Sequence, residues 1–432
     1  MFQLKQNGLK PSVEIAAGAS TFFSMVYVLA ANPHIVAEAG LPIEALFTAT
    51  ALGVIVATLI MAFGANLPFA VAPGMGLNAF FVAVVVQMGY SWPQALTAVL
   101  FSGLVFVALS LSPARAKVLK EVPKSLQHGV CAGVGLMIAY IGLLHSQIVV
   151  FNHGQPSLGN LSSGPPLLAC IGLLVMGALL AARFRYAILA GIVVTTLIGL
   201  RLGVTDASGL SAGLVSLPPS LSSIAFKFDF SPLVSLDFWA LILTFAFMEI
   251  IDGLAGFLGL FGVMGQEGDR YRPRMGRAFI ADSVGVVVGS CLGLSPNTTY
   301  AESGAGVAAG GRTGLTALTV AFFFGLALFV SPLFMVIPFS AVAPALVLVG
   351  LLMIRSILQV SFDDWSECFP AFATAIVITF TWRISDGLTL GWLLHLLMKV
   401  LSGQRRQITV TVWVVGAIFA ANFISKFAQA AH

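Results

Sequence analysis

Apolar stretches of roughly 20 residues recur along the whole chain, and short polar stretches separate them. Because about 20 helical residues span the hydrocarbon core of a bilayer, each stretch predicts a membrane-crossing helix. The residues do not alternate with a period of two, as the strands of a transmembrane β-barrel do. The predicted spans are 12–32, 43–63, 93–112, 125–145, 166–182, 186–202, 236–263, 275–293, 314–331, 335–354, 367–382 and 386–401.

Two further apolar stretches are interrupted by proline and glycine. We name them the first interrupted segment (66–88) and the second interrupted segment (294–311). Their breaks at Pro73 and Pro296 follow the start of the first and the eighth span by roughly 60 residues, and each segment precedes four more spans. Counting both as crossings gives fourteen segments. Since seven is odd, the halves have opposite orientation, and the spacing predicts the inverted repeat that is typical of secondary transporters.

Composition supports a polytopic helical membrane protein. Of 432 residues, 58% are hydrophobic and 9% are charged, whereas about 25% are charged in a soluble domain. The four cysteines are isolated, so we expect neither a disulfide framework nor a metal site, and no cofactor. The net charge of +4 comes from scattered loop residues, so we expect no nucleic-acid partner.

Basic residues fall in alternate loops. With the N-terminus in the cytoplasm, the loops after even-numbered segments are the basic ones, as the positive-inside rule demands. These basic residues are Arg115, Lys117, Lys120 and Lys124; Arg183 and Arg185; Arg270, Arg272, Arg274 and Arg277; and Arg405 and Arg406. The N-terminus has no cleavable signal pattern, so we expect the first span to be retained. The apolar stretch 408–425 is either an interfacial helix or a fifteenth span.

Four carboxylates lie within apolar sequence, where they are expected to face the protein interior or water: Glu249, Asp252, Asp282 and Glu302. Glu249 and Asp252 are three residues apart and share a helix face, followed by glycines every third residue. They are either an acidic pair bonded to a neighbouring helix or, as we favour, acceptors for a polar substrate. Asp282 follows the arginine-rich loop and is expected to be a structural partner of a basic or polar group.

Glu302 follows the break in SPNTTYAESGAG (295–306), where proline frees backbone groups that a ligand can satisfy. It is a candidate for proton handling or for a structural acid that bridges the broken ends, and these two roles are compatible. In APGMGLNAFF (72–81), Asn78 offers both a donor and an acceptor, and Phe80 offers a surface for stacking. We expect the two interrupted segments to face each other across a substrate site.

These motifs resemble the AzgA-like purine permeases of the nucleobase–cation symporter-2 family. The resemblance runs from about Gly18 to the last span and includes APGMGLNAFF, CAGVGLMIAYIGL, FMEIIDG, the block YAESGAGVAAGGRTGLTA and AVAPALVLVGLLM. The eighth span departs from the family pattern, because Glu249, Gly253 and Gly256 stand where the family more often has Asp and polar residues. The usual GTS before the second break is GLS here.

The resemblance implies a core domain (1–113 and 236–332), a gate domain (114–205 and 333–402) and an apolar C-terminal segment (403–432). It further implies elevator-type motion of core against gate, a homodimer in the cell inner membrane and coupling to protons. Carried over by motif, the substrate-binding residues are Glu249, Asn78, Glu302, Thr299, Tyr300, Ala301 and Phe80, and the proton-coupling residues are Glu302 and Asp252.

The leading hypothesis is therefore proton-coupled uptake of adenine, guanine or hypoxanthine. The alternative is a transporter or channel for another small planar or anionic solute on the same fold, as in the related sulfate permeases. The intramembrane carboxylates oppose an anion. A membrane-embedded enzyme is disfavoured because the sequence has no GxSxG or HExxH motif.

Overall fold

The computed structural model describes residues 9–112, 123–152, 155–162, 164–184, 186–206, 213–264, 268–381 and 384–410, with positions 2, 4, 412, 413, 415–417, 419 and 420. Helices lie where the apolar pattern predicts spans. They are α1 (Pro11–Met25), α2 (Val28–Val36), α3 (Ile43–Ile60), α4 (Met75–Val86), α5 (Trp92–Leu111), α6 (Lys124–His145), α7 (Gly164–Ala181), α8 (Ala187–Arg201), α9 (Leu236–Val263), α10 (Gly268–Tyr271), α11 (Met275–Cys291), α12 (Ser303–Ala308), α13 (Gly314–Ala327), α14 (Ser331–Met335), α15 (Phe339–Ile354), α16 (Trp365–Thr381) and α17 (Ile384–Leu401). The strands are β1 (Val71–Pro73), β2 (Val149–Asn152), β3 (Gln155–Leu158) and β4 (Asn297–Thr299).

Eight helical stretches among the described residues are long and apolar enough to cross a bilayer. Three more apolar helices, including α4 and α16, are shorter. The chain is therefore a multi-pass helical membrane protein. The predicted first span is divided into α1 and α2.

The two interrupted segments meet inside the protein. β1 pairs antiparallel with β4, with Val71 opposite Thr299, Ala72 opposite Thr298 and Pro73 opposite Asn297. Each strand leads into a helix, α4 after β1 and α12 after β4. The two segments therefore meet as expected, and a substrate site between them stays a prediction.

Polar side chains satisfy the backbone where the first interrupted segment is extended. The Thr58 hydroxyl accepts from the Val71 N–H at 3.0 Å and donates to the Val71 carbonyl at 3.2 Å. The Ala70 N–H donates to Ser303 Oγ at 2.9 Å, and the Ala70 carbonyl accepts from the Tyr300 N–H at 2.9 Å. These bonds remove the cost of unpaired backbone groups at membrane depth.

Left-handed residues end the helical stretches that precede each break. Asn66 has φ 53° and Gly293 has φ 88°, conformations that glycine and asparagine adopt most readily. The Asn66 side chain then accepts from the Gly314 N–H at 2.9 Å, which ties this turn to the start of α13.

The helices assigned to the predicted core domain pack mainly against one another: α1 on α13, α3 on α11 and α13, and α5 on α9 and α11. The helices assigned to the gate domain do the same: α6 on α15 and α16, α7 on α8 and α15, and α16 on α17. Contacts between the two sets include α1 with α8, α2 with α15 and α9 with α17. The division into core and gate domains stays a prediction.

Among the described residues, a close contact between His145 and Glu38 joins these two sets of helices. His145, the last residue of α6, lies with Nδ1 3.0 Å from Glu38 Oε1, just after α2. The His145 ring also lies 5.5 Å from the ring of Phe339, the first residue of α15. The pair therefore lies at the end of the molecule where α15 begins.

Several predicted features fall on residues outside the described ranges. Arg115, Lys117, Lys120 and Arg185 are among them, as are residues 421–432. The described positions between 410 and 420 are helical, and Trp392 Nε1 in α17 donates to the Val412 carbonyl at 3.0 Å. That 408–425 forms an interfacial helix or a fifteenth span stays a prediction.

Candidate functional site

A cavity of about 610 Å³ lies between the paired breaks and α15. Its core wall is formed by Tyr27, Gly74, Met75, Gly76, Asp252, Gly256, Gly259, Leu260, Val263 and residues 298–302. Its gate wall is formed by Cys131, Val349, Leu352, Met353, Arg355, Ser356 and Gln359. Because Arg355 to Gln359 follow the end of α15, the cavity mouth and the Glu38–His145 pair lie at opposite ends of that helix.

The second interrupted segment supplies four of the predicted site residues to the cavity wall: Thr299, Tyr300, Ala301 and Glu302. The Tyr27 hydroxyl donates to Glu302 Oε1 at 2.7 Å. This bond fixes the carboxylate at the entry to α12. Sequence reasoning missed Tyr27, a single tyrosine within the first predicted span.

Two hydroxyl groups on the same wall are buried without a partner among the described residues. Thr298 is 6% exposed and Tyr300 is 5% exposed, and neither Thr298 Oγ1 nor the Tyr300 hydroxyl makes a hydrogen bond there. Buried polar groups are normally paired, so these two unsatisfied hydroxyls are candidate partners for a ligand, although both oxygen atoms are covered in this conformation.

Asp252 and Glu249 differ in their surroundings although they share α9. Asp252 lines the cavity, and among the described residues no group hydrogen-bonds its carboxylate. Glu249 is 1% exposed and lies behind the wall, where the Ser102 hydroxyl donates to Oε1 at 2.7 Å. Its Oε2 has no partner within the described structure.

Asn78 and Phe80 face the protein interior rather than the cavity. The Ser295 hydroxyl donates to Asn78 Oδ1 at 2.5 Å, which joins the two interrupted segments. The Phe80 ring packs on Phe245 with centroids 4.5 Å apart. In this conformation both side chains support the wall, and their predicted contact with substrate stays a prediction.

Asp282 braces the second break from behind. It is fully buried, and its Oδ1 accepts from the Thr299 hydroxyl at 3.0 Å. A Cβ at Gly253 would lie 2.7 Å from Asp282 Oδ2, and one at Gly256 would lie 2.9 Å from the Thr299 carbonyl oxygen. These glycines, which depart from the family pattern, let α9 approach the break closely.

The gate wall holds polar residues that sequence reasoning missed. Arg355 and Gln359 are exposed at the cavity, and Ser356 donates its hydroxyl to the His128 carbonyl at 3.0 Å. In the sequence, Arg355 is simply the first cation after an apolar run. No group of three His, Cys, Asp or Glu side chains among the described residues is placed to hold a metal ion.

A second cavity, which we name the apolar crevice, lies between α1, α8 and α13–α14 and has a volume of about 550 Å³. Its walls are almost entirely hydrocarbon and include Phe22, Ile192 and Phe323. Thr196, one of its few polar residues, donates its hydroxyl to the Ile192 carbonyl at 2.8 Å. Tyr27 lines both the crevice and the candidate site.

Comparison with known families and proteins gives consistent matches along the chain. The family model Xan_ur_permease, described as "Permease family", matches residues 12–390. The adenine permease AdeQ of Escherichia coli is 37% identical over 98% of this chain and 95% of its own length. The guanine/hypoxanthine permease PbuO of Bacillus subtilis is 38% identical over 99% of this chain and 100% of its own length.

Among solved structures, the transmembrane domain of the cyanobacterial bicarbonate transporter BicA is similar in fold. The TM-score is 0.64 at 17% identity, and the match covers 88% of this chain and 97% of that domain. At this identity the similarity shows the fold alone.

Proposed function

Because the chain belongs to the xanthine/uracil permease family, we propose that it is a secondary active transporter for a purine nucleobase such as adenine, guanine or hypoxanthine. Like its named relatives, the chain is a permease and not an enzyme. The names of the relatives include purines with a 6-amino group and purines with a 6-oxo group. The residues of the binding site must therefore determine which base this chain carries.

The cavity between the paired breaks is the observation that carries this proposal. Its volume of about 610 Å³ lies within the range of roughly 300–1,000 Å³ that small-molecule sites occupy. Asp252 and Glu302 accept N–H groups, while the Thr298 and Tyr300 hydroxyls donate or accept. A planar base with donors and acceptors on its rim suits this set of groups.

We propose Asp252 and Glu302 as the proton-coupling residues. Both lie on the core wall within reach of water in the cavity, and neither has a cationic partner among the described residues. Glu249 is a proposed third acceptor, because its Oε2 has no partner and it lies one helical turn from Asp252. The coupling ion is proposed to be H⁺.

We propose a fold of fourteen segments in a seven-plus-seven inverted repeat, and the pairs of packed helices support it. The contact of α1 with α13 has its counterpart in α9 with α5, and that of α3 with α13 in α11 with α5. In the gate helices, α7 with α8 corresponds to α16 with α17. Elevator motion of core against gate, within a homodimer, follows as the proposed transport mechanism.

The proposed orientation places the cavity mouth in the cytoplasm. The mouth lies at the ends of α9 and α15, close in sequence to the arginines of residues 270–277 and to Arg355. Basic loops remain on the cytoplasmic side of a membrane. The structure then corresponds to an inward-open conformation, in the inner membrane and with a cytoplasmic N-terminus.

Uptake of radiolabelled purines into proteoliposomes under an imposed pH gradient tests the function. We expect uptake to be driven by inward proton flow and to fall about tenfold or more in Glu302→Gln and Asp252→Asn, since each change removes a charged hydrogen-bond acceptor worth roughly 1.5–3 kcal/mol. Glu44→Gln, an exposed change away from the cavity, is the matched control. Uptake of bicarbonate or sulfate but of no purine would overturn the proposal.

A further inference from the structure

Arg355 is a cation at the candidate substrate cavity with no ion-pair partner among the residues that the structure describes. It lies on the gate wall, directly after α15, and its side chain is exposed. Among the described residues, no carboxylate forms an ion pair with it and no carbonyl accepts a hydrogen bond from it. An arginine that already neutralised Asp252 or Glu302 would have a structural role. The Arg355 guanidinium has no such partner within the described part of the chain, so its donors can bind a ligand.

The two walls of the cavity have opposite hydrogen-bonding character. The core wall presents the carboxylates of Asp252 and Glu302, which accept hydrogen bonds when ionised. The gate wall presents the Arg355 guanidinium, which only donates. A base bound between these walls therefore has carboxylate acceptors along one edge and the guanidinium N–H donors along another.

Purine bases differ in the hydrogen-bonding groups on the edge that a guanidinium contacts. Hypoxanthine and guanine carry two adjacent acceptors, O6 and N7, and a guanidinium pairs with both at once. Adenine carries an amino group in place of O6, so it places a donor against a donor. An amide side chain, as in asparagine or glutamine, is the usual partner of the adenine N6/N7 edge.

We infer that Arg355 is a specificity-determining residue that selects 6-oxopurines over the 6-aminopurine adenine. The inference rests on the proposed function, and it narrows the substrate to hypoxanthine and guanine. Gln359 lies near Arg355 on the same wall, but its amide both donates and accepts. It therefore accommodates either class of base, and the guanidinium sets the preference.

The test compares Arg355→Gln, Arg355→Lys and wild type in proteoliposomes, with the KM for labelled hypoxanthine and for labelled adenine measured on each. We expect wild type to favour hypoxanthine, and Arg355→Gln to move the ratio of the two KM values about tenfold toward adenine, as the loss of one bidentate contact predicts. Arg355→Lys keeps the positive charge but loses the two parallel N–H donors of the guanidinium. Its KM ratio should therefore lie between those of wild type and Arg355→Gln. Arg277→Gln removes an exposed arginine that does not line the cavity, and its ratio should match wild type.

The outcomes separate this inference from the function on which it rests. If the wild-type protein carries purines and Arg355→Gln leaves the KM ratio unchanged, the inference about Arg355 is overturned and the proposed function is not. Wild type that prefers adenine does the same. Wild type that carries no purine overturns the proposed function, and the inference falls with it. Thermal-shift titration of each variant with both bases checks that a changed ratio reflects binding and not a misfolded protein.

Discussion

The carboxylate at the entrance to α12 depends on a residue from the opposite end of the chain. Tyr27 and Glu302 are 275 positions apart, and their 2.7 Å hydrogen bond connects the α1–α2 junction to the second break. A carboxylate at membrane depth needs such a donor, because an unpaired one is costly there.

Cys131 offers a direct report of cavity occupancy, since it is the cysteine that lines the gate wall. We expect a bound purine to slow alkylation of Cys131 by a small maleimide several-fold, because the base covers the thiol. The measurement is the rate of modification at each cysteine, read by mass spectrometry with and without the base.

The Cys131→Ala variant is the control for this labelling, since it should remove the protected fraction entirely. Cys170, Cys291 and Cys368 do not line the cavity and should react at rates that the base does not change. Equal labelling of Cys131 with and without every purine would place the binding site elsewhere.

Part of the site was predictable at the residue scale. A charge or a proline within apolar sequence is conspicuous, and this signal found Asp252 and the stretch from Thr299 to Glu302. Tyr27 and Arg355 carry no such signal, because ordinary membrane helices and their ends contain the same residue types. Glu14 was missed for a related reason: it reads as part of a polar N-terminus, yet it is fully buried and accepts from the Thr316 hydroxyl at 2.6 Å.

At the scale of elements, α9 and β4 approach so closely that a glycine is required between them. A methyl group at position 256 would lie 2.9 Å from the Thr299 carbonyl oxygen, whereas one at Gly259 would have no neighbour within 4 Å. Gly256→Ala should therefore push the second break away from α9 and lower both thermal stability and purine uptake, at a cost of roughly 1–3 kcal/mol.

Gly259→Ala is the matched control on the same helix. It should leave stability unchanged or raise it, because alanine favours a helix over glycine by about 1 kcal/mol. The comparison uses melting curves in detergent, because Gly259 also lines the cavity and a methyl group there can alter uptake directly. If both variants behave alike, the contact at Gly256 does not constrain the break.

The start of α16 has its own stabilising contact. Asp364 precedes the helix and accepts from the Ser366 hydroxyl at 2.7 Å and the Ser366 N–H at 2.9 Å. These bonds lower the pKa of the Asp364 carboxyl, so their stabilising effect is present above the usual aspartate pKa of about 3.9 and is lost as the pH falls through the lowered value.

Asp364→Ala should accordingly destabilise the protein by about 1 kcal/mol at neutral pH, the usual effect of losing a helix cap. The difference from wild type should shrink in melts near pH 3. Asp363→Ala changes the adjacent exposed carboxylate and should have little effect at either pH. A constant difference across pH would exclude the ionised cap as its cause.

For the whole molecule, the cavity is open at one end of α15 and closed at the other. The Glu38–His145 pair lies at the closed end and joins a core helix to a gate helix. α15 has 16 residues and is therefore about 24 Å long, which separates the pair from the mouth by most of a bilayer. If core and gate move as proposed, this pair must separate when the closed end opens.

A reversible crosslink tests that requirement. With the four native cysteines replaced, Glu38→Cys and His145→Cys are introduced together and joined by a short bifunctional thiol reagent. We expect uptake to stop when the pair is joined and to return when the link is cleaved. Each single variant treated in the same way should keep its uptake, and transport through the joined pair would contradict the elevator proposal.

The spacing of the two breaks was sufficient to predict their meeting, because equal offsets in two halves imply symmetry-related positions. Which helices contact each other was not predictable. Beyond their first turns, helices such as α6 and α16 carry mostly apolar or small residues on every face, so hydropathy gives little direction for packing. Small residues determine instead which helices can pack closely. A Cβ at Gly129 would lie 2.6 Å from the Ala371 carbonyl oxygen.

Tyr27 lies in a wall that two different solvents reach. Water enters the candidate site from the mouth beside α15, while the apolar crevice has hydrocarbon walls and borders lipid-facing side chains such as Leu197 and Leu326. A hydrophobic molecule dissolved in the bilayer can thus contact Tyr27, which donates a hydrogen bond to Glu302, without entering the aqueous site. Inhibitors of this permease need not resemble a nucleobase, and those acting from the crevice would be non-competitive with substrate.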